Sequence, residues 1–359
     1  MRWQLGVNMK KTIVAAVIGS VVASASVVVS TSAIAAEVYS GDELAVNVYG
    51  NLRARYETTD NNVMGADSTF TGEGTEIGLG MTYFLANDMY VNGDVLTEVN
   101  IIPESGDGDN FDDSAFLKFG SVALGGNFGE VRIGRMSAIQ DTLAGQYDIS
   151  WEYAGTANIK NDWSATDRLT NGIQYKYDMS DLGLVFMAQY HTGQEFDGID
   201  LKNEVEIDQA FAGGVAWASD FGLGLSGTYT YSERTKTDVK YGGDDDTSWT
   251  LNATYDIEAL SLAAMYSDYD FAGDKQTGIG AMARYDLPMG VGLYGIYDYV
   301  DYATDDNKLD QYTVGADYWL NDSVVSYAEY ADMSYDKQSS NGNTFQDDSA
   351  FTIGMRVYF

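Results

Sequence analysis

The chain has 359 residues, no cysteine, and a formal net charge of −34 at neutral pH from 20 basic and 54 acidic side chains. That charge would repel nucleic acid and anionic lipid, and the lack of cysteine excludes disulfides and thiolate metal sites. Disorder is excluded as well, because 45% of the residues are hydrophobic and 27 are tyrosines, enough apolar surface for a packed fold.

Residues 1–35 predict a cleaved secretory signal peptide. Lys10 and Lys11 form a basic start, residues 12–29 are uncharged and mostly apolar, and Ala33-Ile34-Ala35 is a small-x-small cleavage site. A membrane anchor is the alternative, since the apolar run is close to spanning length. The cleavage-type triplet and the lack of a basic stop-transfer cluster favour the signal peptide. Residues 1–8 are either an upstream extension or part of a long basic region.

The mature chain, residues 36–359, loses three basic residues and no acid with the signal. Its 17 basic and 54 acidic residues therefore give a net charge of −37.

From Leu44 to Tyr56, apolar and polar side chains alternate: the even-numbered positions are mainly apolar and the odd-numbered ones mainly polar. This period of two is typical of a strand with one apolar and one polar face. A soluble sandwich would show the same alternation in a single strand.

The pattern recurs along the whole mature chain in about sixteen segments, an even number that suits a closed antiparallel membrane barrel. Short turns alternate with long acidic loops, and many segments end in Tyr or Trp, as expected at the two membrane boundaries. We therefore predict an all-β fold: a transmembrane antiparallel β-barrel of about 16 strands. The segments are 44–56, 76–83, 89–99, 114–122, 131–134, 172–177, 184–190, 210–217, 223–231, 249–255, 260–266, 278–285, 291–299, 311–319, 324–330 and 351–359.

The last segment, 351–359, alternates most regularly and ends in the aromatic residue Phe359. Chain termini usually fray, so a regular terminal strand predicts that the last strand pairs with the first.

Three motifs resemble the trimeric general porins of Gram-negative bacteria. Residues 49–55 resemble the first-strand motif of that family, residues 128–135 the strand before its pore-constricting loop, and residues 168–175 the strand after it. Phe359 matches the family's C-terminal assembly signal. The resemblance implies a homotrimer in the outer membrane, a passive channel for small hydrophilic solutes, and a third loop, about 136–167, folded inward to narrow the pore.

In this family an acidic loop faces a basic wall across the constriction. Parity places Arg53, Arg55 and Arg132 on the polar face, whereas Arg135 points inward only if the chain bends there. The candidates are Asp141, Asp148 and Glu152 on the loop, and Arg53, Arg55, Arg132, Arg135 and Lys176 on the wall.

Glu76 departs from the family pattern, because many members carry an inward arginine on the second strand. The basic wall is therefore expected to be thinner there. A lumen with excess negative charge attracts cations, so we expect a cation preference. Acidic outer loops could bind divalent cations that bridge to lipopolysaccharide and outer-membrane lipids, although simple solvation explains most of these carboxylates.

Other functions have weaker support in the sequence. A hydrolase would need His191, the single histidine, beside a nucleophile or carboxylate pair; we expect it instead to be solvated at a strand end. No cofactor or metal is expected, since metal-binding spacing is absent. A substrate-specific channel with lumen aromatics such as Tyr49, Tyr90 and Tyr294, and a structural or adhesive barrel, remain as alternatives.

Overall fold

A computed structural model describes residues 36–61, 64, 68–102, 115–160, 165–195, 206–234, 245–337 and 346–359. The predicted signal peptide and parts of the long loops lie outside these ranges. The strands are β1 (Ala36–Ser40), β2 (Leu44–Thr59), β3 (Thr69–Thr71), β4 (Thr75–Phe84), β5 (Tyr90–Val99), β6 (Ala115–Gly126), β7 (Gly129–Ser137), β8 (Arg168–Met179), β9 (Leu184–Glu195), β10 (Glu206–Ala218), β11 (Leu223–Arg234), β12 (Asp245–Ile257), β13 (Leu260–Phe271), β14 (Asp274–Leu287), β15 (Val291–Tyr302), β16 (Asn307–Asn321), β17 (Val324–Tyr335) and β18 (Asp348–Tyr358).

Helical structure within these ranges is short. It comprises α1 (Ile139–Ala144) and 3-10 turns at Gly145–Tyr147 and Ser180–Leu182. None of the described helices has the length and hydropathy needed to cross a membrane.

The strands form one closed antiparallel sheet. β18 pairs with β2, from Ala350 opposite Thr59 to Tyr358 opposite Asn51. Beyond that ladder, Phe359 and Gly50 exchange two backbone hydrogen bonds of 3.0 and 3.1 Å. We call this junction of β17, β18 and β2 the closing seam. The predicted pairing of the last strand with the first is therefore confirmed.

Two short strands, β1 and β3, pair with β2 and do not count as separate strands of the barrel wall. β1 pairs with β2 between Ala45 and Val48, and β3 pairs with it between Arg55 and Glu57. β2 and β4 to β18 then form a barrel of 16 strands. The predicted fold class and strand number are confirmed.

The two faces of the strands decide between a membrane barrel and a soluble sandwich. Along β2, Leu52 is 41% exposed and its neighbour Asn51 only 4%; along β18, Ile353 is 53% exposed and Thr352 is fully buried. A soluble sandwich would bury the apolar parity. Here the apolar parity faces outward around the barrel and the polar parity faces inward, as a lipid environment requires.

Inward tyrosines lie flat over glycines of the neighbouring strand. The ring of Tyr49 covers Gly78, and the ring of Tyr294 covers Gly315; a Cβ added at either glycine would lie 2.4 or 2.2 Å from that ring. Because no side chain fits in this space, the glycines allow bulky rings to lie against the inner wall.

Candidate functional site

The segment between β7 and β8 is here called loop 3. Its described residues, 138–160 and 165–167, lie inside the barrel, where the sequence predicted an inward fold. Its first part, α1, packs on the inner faces of β9 to β12. The amide of Ile139 donates to Gln189 Oε1 over 3.1 Å, and Ser226 Oγ donates to the carbonyl of Leu143 over 2.8 Å. Ile139 and Leu143 are buried against the wall. The helix is therefore fixed by both apolar packing and hydrogen bonds.

The second part of loop 3 is held by Glu329, a buried carboxylate on the inner face of β17. The carboxylate is 1% exposed. It accepts the backbone N–H groups of Trp151, Glu152 and Tyr153 at 2.9, 3.1 and 2.8 Å. The hydroxyl of Tyr294 also donates to it. Four donors thus converge on one carboxylate, so Glu329 holds this part of the loop against β17.

Asp298 on β15 holds the parts of loop 3 on either side of residues 151–153 in the same way. It is fully buried. It accepts the hydroxyl of Tyr147 at 2.7 Å and the amides of Ala157 and Gly155 at 3.0 and 3.3 Å. Two wall carboxylates thus bind the backbone of loop 3 across the barrel.

Glu152 joins loop 3 to the closing seam. Its carboxylate lies 2.9 Å from Arg356 on β18 and 3.5 Å from Arg55 on β2. It also accepts the hydroxyl of Tyr327 on β17 at 2.7 Å. The guanidinium of Arg356 lies 4.8 Å from the centre of the Trp151 ring. This predicted constriction acid therefore contacts three strands of the wall directly.

The other two loop acids have separate partners. Asp141 forms an ion pair with Lys160, whose ammonium also lies 3.4 Å from Asp167. Asp148 accepts the amide and hydroxyl of Ser150 at 3.0 and 2.6 Å. Asp141 and Asp148 thus have partners within loop 3, whereas Glu152 contacts the closing seam.

The wall arginines predicted to point inward do so, and each lies beside a carboxylate. Arg53 approaches Glu76 at 3.8 Å. Arg55 donates to Glu57 over 2.8 Å, and Arg132 lies 2.9 Å from Glu130. A neighbouring carboxylate offsets each positive charge at short range.

Arg135 points inward because the chain bends where the sequence required it. Gly134 has φ +133°, and the pairing of β7 with β8 shifts register between Gly134 and Met136. Arg135 then donates to Thr170 Oγ1 and the carbonyl of Lys118 over 2.7 and 2.9 Å. With Arg132 and Lys176, it lines a cavity of about 400 Å³ on the inner wall.

Glu76 has a cationic partner that the sequence analysis missed. The ammonium of Lys118, on β6, lies 2.6 Å from Glu76 and 3.0 Å from Glu98. The pairing of β5 with β6 shifts register beside Lys118, between Leu96 and Thr97. Alternation of inward and outward side chains breaks down at such an irregularity. The sequence pattern therefore does not show that the Lys118 side chain points inward. A basic residue thus lies where the wall was expected to be thinner.

Arg356 and Glu329 were also missed, although parity alone places both inward. Arg356 alternates with outward residues of β18, and Glu329 with those of β17. His191 was wrongly expected to be solvated. It is 1% exposed, because β9 continues to Glu195 and makes this residue part of the inner wall.

Comparisons with known proteins agree with this architecture. A family model described as Gram-negative porin matches residues 20–338. The outer membrane porin protein LC of Enterobacteria phage PA-2 is 27% identical over an alignment of 347 positions. This alignment covers 86% of this chain and 89% of the relative.

Two solved structures share the fold. One is OmpF of Salmonella typhi in complex with daunomycin, with a TM-score of 0.73 and 18% identity over 90% of this chain and all of that chain. The other is OmpT of Vibrio cholerae in its trimer form, with a TM-score of 0.67 and 16% identity over 89% of this chain and all of that chain. The chain therefore belongs to the Gram-negative porin family and is a β-barrel of the outer membrane.

Proposed function

We propose that the barrel is a water-filled channel for passive diffusion of small hydrophilic solutes and ions, with a preference for cations. The observation that carries this proposal is the course of loop 3. Its hydrogen bonds run along β9 to β18 and β2, here called the loop-bound wall. The inner face of β4 to β8 is here called the open wall, and its Lys118, Glu76 and Glu98 side chains lie partly exposed.

The cation preference is supported by the charges on the open wall. Lys118 is shared by Glu76 and Glu98, and Arg132 is paired with Glu130. Since local pairing offsets the positive charges, the wall cannot act as a continuous basic stripe. The mature chain, with its net charge of −37, then favours cations in the lumen. Asp141, Asp148 and Glu152 retain their proposed place on the loop side, and Arg53, Arg55, Arg132, Arg135 and Lys176 on the wall.

Single-channel recording in a planar bilayer with a KCl gradient tests this function. We expect stable conductance and a reversal potential that favours K⁺. Glu98→Gln should weaken the preference, because Glu98 lies on the open wall. Asp306→Asn is the matched control, since this carboxylate lies in an exposed turn beside Lys337. Anion preference would contradict the selectivity proposal, and an inserted barrel without conductance would favour an adhesive or structural role.

The proposed assembly is a homotrimer. Support comes from the aliphatic outer face of β4 and β7, where Ile77, Leu79 and Ile133 are exposed, and from the trimer form named for the Vibrio structure. Conductance steps in threes would agree with it. A monomer after mild extraction and cross-linking would contradict it.

We also propose that the acidic outer loops bind divalent cations that bridge to lipopolysaccharide. Removing these cations with EDTA should then reduce the amount of lipopolysaccharide that co-purifies with the barrel.

A group of inward aromatic rings favours one second candidate, a substrate-specific channel. Trp151 stacks on Tyr327 with ring centres 5.0 Å apart and lies 6.3 Å from Trp319, which stacks on Tyr358 at 5.9 Å. This run extends from loop 3 toward the short-turn end of the barrel. Aromatic faces bind the apolar faces of sugars, so saturable uptake of one sugar into liposomes would support this candidate over general diffusion.

A further inference from the structure

Loop 3 lies directly against two buried glycines on the inner face of β14, Gly278 and Gly280, here called the loop-contact glycines. A Cβ atom added at Gly278 would lie 2.1 Å from the carbonyl oxygen of Ala157. One added at Gly280 would lie 2.4 Å from the ring of Tyr147. Ordinary contacts of a Cβ atom begin at 3.4 Å. No side chain therefore fits between loop 3 and this part of β14.

Glycine is an unfavourable residue at these two positions unless the close contact requires it. β14 pairs with β13 on one edge and with β15 on the other. Glycine in the interior of such a strand loses more backbone freedom on folding than any other residue. It often marks a place where another backbone approaches closely. At Gly278 that backbone is loop 3 at Ala157.

Hydrogen bonds from the neighbouring strands draw loop 3 onto the loop-contact glycines. Asp298 lies directly opposite Gly280 in the pairing of β14 with β15. Its carboxylate accepts the hydroxyl of Tyr147 at 2.7 Å and the amide of Ala157 at 3.0 Å. On the other edge, Ser267 Oγ donates to the carbonyl of Ala157 over 2.6 Å. These bonds hold the loop toward the wall, and the glycines leave the space that lets it come so close.

A side chain added here would move the loop and not the strand. β14 is held by continuous backbone ladders on both edges, whereas wall side chains hold this part of loop 3. An ordinary contact at Gly278 would require Ala157 to shift by about 1.3 Å away from the wall. The preceding residues 154–156 are partly exposed inside the barrel. Such a shift would carry them further into the lumen.

We propose that the loop-contact glycines set the largest solute that passes through the channel. The passage is the space between loop 3 and the open wall, so its width depends on how closely the loop lies against β14. Pore width is one of the features by which channels select solutes. Gly278 and Gly280 therefore determine specificity through the position of loop 3, without touching the solute. This inference rests on the proposed channel function.

Uptake of two uncharged sugars of different size into liposomes tests the proposal. Arabinose is the small probe, and the trisaccharide raffinose is the large one. For Gly278→Ala we expect the ratio of raffinose to arabinose uptake to fall at least about twofold, because a narrower passage slows the larger solute more. Gly280→Ala should lower the ratio less, because the ring of Tyr147 can turn more easily than the carbonyl of Ala157 can move.

Two further glycines of the inner wall provide a graded comparison. A Cβ atom at Gly214 on β10 would meet only the ends of the Ile139 and Leu143 side chains, at 2.6 and 2.7 Å. These ends can rotate away, so Gly214→Ala should change the ratio least. Gly80→Ala on β4 is the matched control. Its nearest neighbour would be the ring of Tyr49 at an ordinary 3.7 Å, so the ratio should stay unchanged.

Folding of each variant is checked by its resistance to unfolding in dodecyl sulfate without heating. Loss of folded barrel alone would slow both sugars equally and leave the ratio unchanged. If Gly278→Ala does not fold, Gly280→Ala carries the test.

An unchanged ratio in the folded β14 variants would overturn the proposal, and so would faster uptake of raffinose. The unsubstituted barrel separates the two proposals. If it does not take up arabinose, the channel function fails; if it does and the ratio never changes, only this inference fails.

Discussion

The loop-bound wall and the open wall use the same residue types in opposite ways. On the loop-bound wall, Glu329 and Asp298 are buried and accept backbone N–H groups of loop 3. On the open wall, Glu98 and Lys118 pair sideways, with their side chains 17% and 25% exposed. Carboxylates on the first wall therefore hold loop 3 in place, and those on the second lie along the lumen. Position relative to the loop, and not residue type, separates the two roles.

The largest effect is expected at Glu329. Glu329→Leu should lower the free energy of unfolding by roughly 3 kcal/mol or more, because each buried N–H left without an acceptor costs about 1–3 kcal/mol. Thermal unfolding in detergent, followed by circular dichroism, measures this. Glu329→Gln keeps one acceptor oxygen and should lose less. Glu98→Gln is the control from the open wall; an equal loss of stability there would remove the distinction between the walls.

A smaller effect is expected at the closing seam. Arg356→Met should cost about 2 kcal/mol, because the Glu152 carboxylate, whose side chain is only 10% exposed, loses its nearest charged partner. Chemical unfolding of Arg356→Met, Glu152→Gln and the double variant measures the coupling between the two residues. The double variant should lose less than the sum of the single losses. Additive losses would show that Arg356 stabilises the barrel without Glu152.

On the open wall we expect a change of selectivity with little change of stability. Lys118→Gln should strengthen the cation preference, because Glu76 and Glu98 both lose their offsetting charge. Its effect on unfolding should stay within about 1 kcal/mol, as for other partly exposed ion pairs. Reversal potentials in a KCl gradient measure the first effect. A shift toward anions would contradict the assignment of Lys118 to the pore wall.

The smallest effect is expected at the exposed pair of Lys337 and Asp306. The Lys337 ammonium lowers the pKa of Asp306, so the pair would contribute stability above that carboxyl's ordinary pKa and lose it as the pH falls. Because both side chains are exposed, Lys337 to 59% and Asp306 to 93%, Lys337→Gln should leave the unfolding temperature unchanged between pH 3 and pH 7. A lower unfolding temperature of Lys337→Gln at pH 7 but not at pH 3 would contradict this prediction. It would show that exposed ion pairs contribute to the stability of the barrel as the wall contacts do.

The fold was predictable because period-two alternation depends only on neighbours in sequence. It gave the inward direction of Arg53, Arg55 and Arg132 and the outward direction of Leu52 and Ile353. It fails where the register shifts, as at Lys118. There the side chain's direction depends on a local irregularity that alternation does not show.

The partners of loop 3 were not predictable from sequence. Glu329 lies 178 residues from Trp151, and Arg356 lies 204 residues from Glu152. Parity could place these wall residues inward, but only the closed barrel brings them to the loop. The loop acids were consequently expected to face the pore, and the seam contacts of Glu152 were not foreseen.

The contacts of Glu152 have a consequence for the order of folding. Its partners Arg55, Tyr327 and Arg356 come from β2, β17 and β18, the first and last staves of the barrel. These three side chains surround the carboxylate only after the ends of the chain have met. This attachment of loop 3 therefore exists only in the closed barrel, so the Glu152 contacts report that the first and last strands have paired.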